Sequence, residues 1–179
     1  RVLFRSEQLV GVAHDLEVLL GVEALERPEE RVPVRPEEHD LAAGDPGAGN
    51  MMIQGDNLEA LKALLPFYAG QVKCIYIDPP YNTGSAFAHY EDNDEHAAWL
   101  SFMRDRLLLI KDVLSPDGSV WVHLDDAEVH RMRCLMDEVF GAENFVATVV
   151  WEKVYSPRMD AKQFSSSHDT IVVFSRQAG

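Results

Sequence analysis

The sequence predicts an α/β fold, a sheet joined by crossover helices, and three observations carry that reading. Short apolar runs fit buried strands. Amphipathic stretches with apolar residues three and four apart alternate with those runs. Glycine, proline and aspartate punctuate the boundaries. The chain has 179 residues, 46% apolar and 26% charged, an ordinary globular composition for one domain with a core.

The elements follow in order. Residues 7–25 set Leu9, Val12, Leu16, Leu19 and Leu20 at helical spacing behind Ser6, a candidate N-cap, so a helix is expected there, weakened by Gly11 and Gly21. Residues 27–50 hold four of the nine prolines and the charged stretch ERPEERVPVRPEEHD, and read as a linker arm. Residues 57–69 form the next expected helix, with Leu58, Leu61, Leu64 and Leu65 on one face, Asp56 or Asn57 as cap and Gly70 as stop. Residues 72–77 read as a buried strand, and 94–114 as a long helix whose stripe of Trp99, Phe102, Met103, Leu107 and Ile110 is core. Pro116-Asp117-Gly118 is an expected turn before a strand at 119–124. Asp125 or Asp126 caps a helix running to Phe140, which Gly141 closes, and residues 144–152 and 170–174 are strand-like by their β-branched content.

Composition excludes several classes. No apolar run reaches the roughly 18 residues a membrane span requires, and the N-terminus RVLFRSEQ offers no apolar signal core. Cys74 and Cys134, far apart in an ordinary chain, read as reduced core thiols, which points to the cytoplasm. Net charge is −14, unlike a free-standing nucleic-acid binder. The charge is uneven: residues 151–179 carry three acids and four bases, while residues 51–150 carry 16 acids and seven bases. The absence of an initiator Met suggests a start inside a longer reading frame.

The chemistry is expected where strand 72–77 runs into Asp78-Pro79-Pro80-Tyr81-Asn82-Thr83-Gly84, since ligands in α/β sheets sit at the carboxyl ends of strands. Two prolines fix φ and remove two donors, so the chain leaves the sheet stiff and extended. A carboxylate, a carbonyl acceptor and a stacking ring then stand together, a set suited to a planar amine: both amine protons are accepted while the ring holds the base face. The plain alternative, a proline turn with Asp78 as cap and Tyr81 in the core, does not account for the combination at a strand end.

IYIDPPYNTG resembles the catalytic DPPY motif of amino-methylating DNA methyltransferases, with Asp in first place as in the N6-adenine type. The order MIQGDNLEALKALLPFYAGQVKCIYIDPPYNTG, WLSFMRDRLLLIKDVLSPDGSVWVHLDD, LMDEVFGAENFV and HDTIVVFSR is similar to the β-group, most of all to the methylation (Mod) subunits of type III restriction-modification systems. The resemblance covers about residues 50–176. It implies a partial Rossmann-like fold dependent on S-adenosylmethionine, with an incomplete sheet and flanking helices. Residues 1–49 would be an N-terminal helix and linker arm, and residues 50–179 a partial catalytic domain cut before the target-recognition region and the glycine-rich cofactor motif, since no F-x-G-x-G follows Tyr81.

The resemblance also implies roles. Asp78, Pro79, Pro80 and Tyr81 are the catalytic set, with Asp78 and the Pro79 carbonyl accepting from the target amine. Tyr81 and Asn82 meet the substrate base, which must be flipped from the helix. Asp56, Asn57 and Asp78 meet the cofactor, S-adenosylmethionine. The partners implied are double-stranded DNA, a second copy of the chain and a restriction subunit. On this reading residues 1–179 alone are inactive. The alternatives are a non-catalytic assembly or binding module keeping the fold, or an amine methyltransferase acting on RNA or protein.

Three further features are set aside. His123, Asp125, Asp126, Glu128 and His130 read as a strand end and helix caps, so no metal site is expected. DPGAG at 45–49 follows no strand and opens no helix, so it reads as linker. Lys153, Tyr155, Arg158, Lys162 and Ser165–Ser167 form a weakly basic stretch open to phosphate contact or to a plain surface loop.

Overall fold

A computed structural model describes residues 9–13, 17–22, 51–54, 56–82, 96–154 and 167–177. The linker arm, the DPGAG stretch, Thr83 and Gly84, and Tyr155, Arg158 and Lys162 lie outside the described residues. The strands are β1 (Leu9–Ala13), β2 (Glu17–Val22), β3 (Met51–Gln54), β4 (Val72–Asp78), β5 (Leu114–Leu124), β6 (Phe145–Glu152) and β7 (His168–Ser175). The helices are α1 (Asn57–Tyr68), α2 (His96–Val113) and α3 (Val129–Phe140). Among the described residues the sheet has seven strands in the order β3-β1-β2-β4-β5-β7-β6. The α/β expectation holds, and so do the helices at 57–69 and 94–114, trimmed to α1 and α2.

The main core cluster lies between the helices and one face of the sheet. Ile75 and Ile77 on β4, Val120, Val122 and Leu124 on β5, and Val172 and Phe174 on β7 share a cluster with Leu61 and Leu64 of α1, Met103, Leu107 and Ile110 of α2, and Met132 and Met136 of α3. Strand side chains alternate between faces, so Tyr76, Asp78 and His123 lie on the face away from the helices. Trp99, Met103, Leu107 and Ile110 are buried as the helical stripe predicts, and Phe102 packs partly buried at its edge.

The helix expected over residues 7–25 is instead the strands β1 and β2. β2 runs antiparallel along β4, from Glu17 opposite Asp78 to Val22 opposite Val72, and β1 pairs with β2. Spacing of three and four residues is weak evidence where Val and Gly depress helix propensity, and pairing along an open strand edge decides the outcome. β3, not recognised as a strand in the sequence, pairs parallel with β1.

Pro116-Asp117-Gly118 does not stand before the strand but within it. Val72 pairs with Leu114 and Cys74 with Ser119, so Ser115 to Gly118 bulge opposite Lys73 alone. Gly118 is required there, because a Cβ would come within 2.7 Å of the Val72 carbonyl oxygen. The caps of α3 also differ from expectation. Asp125 accepts from the Ala127 amide at 2.9 Å, making the approach turn, but the N-cap is Glu128, which makes no side-chain capping bond. Gly141 closes α3 at φ 96°, a left-handed conformation that glycine adopts freely. Cys74 and Cys134 are exposed rather than core thiols, each on a polar position of an amphipathic element.

Candidate active site

The carboxyl ends of β4 and β5, the start of β7 and the end of β6 converge at one end of the sheet. Leu124 pairs with Thr170, and Trp151 with Asp169. Asp78 closes β4 and is exposed, Pro79 is buried, and Pro80, Tyr81 and Asn82 are half-buried. The turn therefore presents its carboxylate to solvent while its first proline anchors it.

Tyr81 donates to Asp78. Burial, then the carboxylates of Asp78 and Asp169, push the Tyr81 phenol far above its ordinary range, so it stays a neutral donor. The same three influences push Tyr76 up to about 12. Tyr76 Oη lies 2.5 Å from His123 Nδ1. A neutral phenol donates to the imidazole, which leaves the ring proton on Nε2. That nitrogen lies 3.4 Å from Asp169 Oδ2 without a well-formed hydrogen bond. Asp169 Oδ1 in turn accepts from Lys153 Nζ at 2.6 Å. Around His123 stand the rings of Tyr76, Tyr81 and Trp151, with centroids 6.0, 6.2 and 6.5 Å away. Desolvation raises Asp125 as well, opposed by the Ala127 amide and by Lys153. Sequence reading missed Tyr76, Asp169 and Trp151; only their strand register could have signalled them.

Two helices grip the turn after Asp78. Trp99 of α2, only 3% exposed, donates its indole N–H to the Pro80 carbonyl at 2.9 Å. Asn82, at φ 57°, donates Nδ2 to Glu128 Oε1 at 2.7 Å.

Asp56 and Asn57 sit at the opposite end of α1 from Gly70, each with a structural task. Asp56 Oδ1 accepts from the amides of Leu58 and Glu59 at 2.9 and 3.2 Å, a full N-cap. Its Oδ2 faces Arg106 Nη2 at 3.7 Å, and the side chain is 56% exposed. Asn57 is fully buried, its amide oxygen accepting from Arg106 Nε. Arg106, 5% exposed, also donates to the Phe102 carbonyl and lies over the Phe102 ring. Arg106, which the sequence did not single out, thus ties the start of α1 to α2. The acceptors at Asp56 and Asp78 suit a cationic ligand bearing amines, the charge type of a sulfonium nucleoside.

Among the described residues no group of three His, Cys, Asp or Glu side chains could hold a metal ion. None of the helices among the described residues is long and apolar enough to cross a membrane.

Comparison with known proteins gives this geometry a context. Residues 72–178 match a family model described as DNA methylase. The chain is 42% identical over 132 residues to the probable type III restriction-modification enzyme HindVI Mod subunit of Haemophilus influenzae, covering 72% of this chain and 18% of that protein. It is 33% identical over 167 residues to the type III restriction-modification enzyme StyLTI Mod subunit of Salmonella typhimurium, covering 78% and 26%. The chain thus spans about a quarter or less of these relatives. The fold is similar to the cytosine-N4-specific PvuII DNA methyltransferase, with a TM-score of 0.53 at 19% identity over 71% of this chain and 49% of that one.

Proposed function

The chain belongs to the DNA methylase family that its residues 72–178 match, and from that premise we propose that it carries the methyl-transfer site of a DNA (adenine-N6) methyltransferase of a restriction-modification system. The observation that carries this reading is the Asp78–Asn82 turn: a solvent-facing carboxylate at a strand's carboxyl end, followed by a fixed proline pair and a neutral tyrosine.

The cofactor, S-adenosylmethionine, supplies an electrophilic methyl group when bound. Asp56 and Asp78 are the residues that would hold it. Asp78 accepts one proton of the adenine amine and the Pro79 carbonyl accepts the other, which frees the nitrogen lone pair from the ring. As the amine nitrogen gains the methyl group, the Asp78 carboxylate would take up its surplus proton and pass it to water. Tyr81 stacks on the flipped base, and its hydroxyl orients Asp78. Positioning supplies much of the acceleration, and fixed carboxylates stabilise the positive charge that develops on nitrogen.

The partners on this reading are double-stranded DNA, a second copy of the chain and a restriction subunit, and the compartment is the cytoplasm. Residues 50–179 carry the catalytic turn, and β1 and β2 of the N-terminal segment belong to the same sheet, β2 lying along β4. The test is to incubate the full-length protein with labelled cofactor and duplex DNA, digest the product and identify the modified base. N6-methyladenine is expected, and Asp78→Ala should abolish it with the fold intact. Label on cytosine, on RNA alone or on protein, or activity retained in Asp78→Ala, would refute the reading.

A further inference from the structure

Resting on the methyl-transfer reading of the Asp78–Asn82 turn, we propose that Glu128 is a positioning residue that holds this turn in its working shape through Asn82. Asn82 is the only non-glycine residue at positive φ among the described residues. Asparagine enters the left-handed region more readily than most side chains, but a fixed place there still requires a holding contact. That contact is Glu128 Oε1, 2.7 Å from Asn82 Nδ2.

Glu128 does not spend its carboxylate on capping its own helix. It precedes α3 yet makes no capping bond, whereas Asp56 caps α1 with two. Its side chain has no solvent exposure, and His96 Nδ1 of α2 reaches Oε1 at 2.5 Å while Arg131 Nη1 reaches Oε2 at 3.3 Å. A buried carboxylate is costly unless it is fully bonded, and an exposed Asp or Ser would cap α3 better. The arrangement makes sense as a staple. α3 holds the turn at Asn82 and α2 holds it at Pro80 through Trp99. β4 fixes Asp78 in the sheet opposite Glu17. With both ends and the middle pinned, the directions of the Asp78 carboxylate and the Pro79 carbonyl are set before substrate arrives. Asn82, assigned to the substrate by resemblance, acquires a positioning role of its own.

The test uses the full-length protein with Asn82→Gly, Glu128→Ala, the double variant, Glu128→Gln and Asp78→Ala. Asn82→Gly keeps the backbone conformation accessible and removes the side-chain bond to Glu128. Loss of kcat by about 10- to 100-fold is expected in Asn82→Gly and in Glu128→Ala, the scale of a misplacement near 1 Å. KM for DNA and Kd for cofactor should stay at wild-type values. The double variant should be no worse than the poorer single one, and Glu128→Gln, which keeps an acceptor for Asn82, should recover most of the loss. Hydrogen exchange should rise in peptides spanning residues 76–82 and stay constant in α1. Wild-type kcat in Asn82→Gly, or losses that multiply in the double variant, would overturn the staple. Should Glu128→Ala not fold, Asn82→Gly decides alone. Methylation retained in Asp78→Ala defeats the underlying reading, whereas a dead Asp78→Ala beside a fully active Asn82→Gly defeats only the staple.

Discussion

Asp56 is the position where a capping role and a cofactor role can be separated by one atom. Its Oδ1 carries two amide bonds of α1, and its Oδ2 faces solvent and Arg106 at 3.7 Å. Asp56→Asn keeps an oxygen for the cap, and asparagine caps about as well as aspartate. The ion pair at 3.7 Å, solvent-exposed only on its Asp56 side, contributes at most about 1 kcal/mol, and that is the most Asp56→Asn should cost in stability. Asp56→Ala removes the cap at about 1 kcal/mol, which lowers Tm by about 2–8 °C depending on the size of the cooperative unit. If the free oxygen accepts an amine of the cofactor, both variants lose a hydrogen bond to a charged group, about 1.5–3 kcal/mol. That is a rise in Kd of about 10- to 150-fold. Calorimetric titration of S-adenosylmethionine into the full-length protein, paired with a melting curve, reads both quantities. Wild-type affinity in Asp56→Asn would refute the cofactor role and leave Asp56 a cap alone. Equal melting of Asp56→Ala and wild type would refute the cap.

Three further outcomes follow from the same geometry. Arg106→Leu leaves the buried Asn57 amide oxygen without its Arg106 donor and should destabilise by about 1–3 kcal/mol, read by chemical denaturation; an unchanged midpoint would show that α1 and α2 do not depend on this contact. Tyr81→Phe keeps the ring and loses the bond to Asp78, so it should retain more methyl transfer than Tyr81→Ala, and equal activity in the two would remove stacking from the mechanism. Desolvation raises the Glu128 carboxyl, but the bonds from His96 and Asn82 and the charges of His96 and Arg131 outweigh it and hold the group below its ordinary 4.5. A depressed folded value gives stability that is present above the ordinary value and lost as pH falls through the folded one. The stability gap between wild type and Glu128→Gln should therefore shrink as pH drops below about 4.5, and a gap constant with pH in acid unfolding would contradict it.

What the sequence discloses here depends on how local the signal is. The Asp78–Asn82 turn is legible because two prolines directly after a buried apolar run constrain the chain within a few residues. α1, α2 and β4 are legible for the same reason, since their periodicity spans one element. The grips on the site are not, because the partners are distant in sequence: Asn82 and Glu128 are 46 positions apart, Tyr76 and His123 47, and Asn57 and Arg106 49. His123 and Glu128 were visible as residues but read as strand end and cap. Only the parallel register of β4 with β5 sets His123 beside Tyr76. The N-terminal stretch fails for the complementary reason. Its apolar spacing is compatible with a helix, and what selects strands is the free edge of β4, a property of a distant segment.

Charge, which first argues against a DNA-directed role, reads differently once placed. The carboxylates of Asp78 and Asp169 gather at one end of the sheet, where burial and then their charge raise both phenols, and Asp169 adds to the desolvation that raises Asp125. Lys153, directly after β6, is bonded to Asp169 at 2.6 Å rather than turned to an outside anion. Such a field repels phosphate and favours a sulfonium and an amine gaining positive charge. On the proposed reading the acidity around the turn belongs to the methyl-transfer site, where charge of that sign is useful. Phosphate contact is a separate task that the same groups could not perform, and a protein that does both must keep its cations on other surfaces. Net charge averaged over a chain merges these two surfaces, and for that reason it could not discriminate between them.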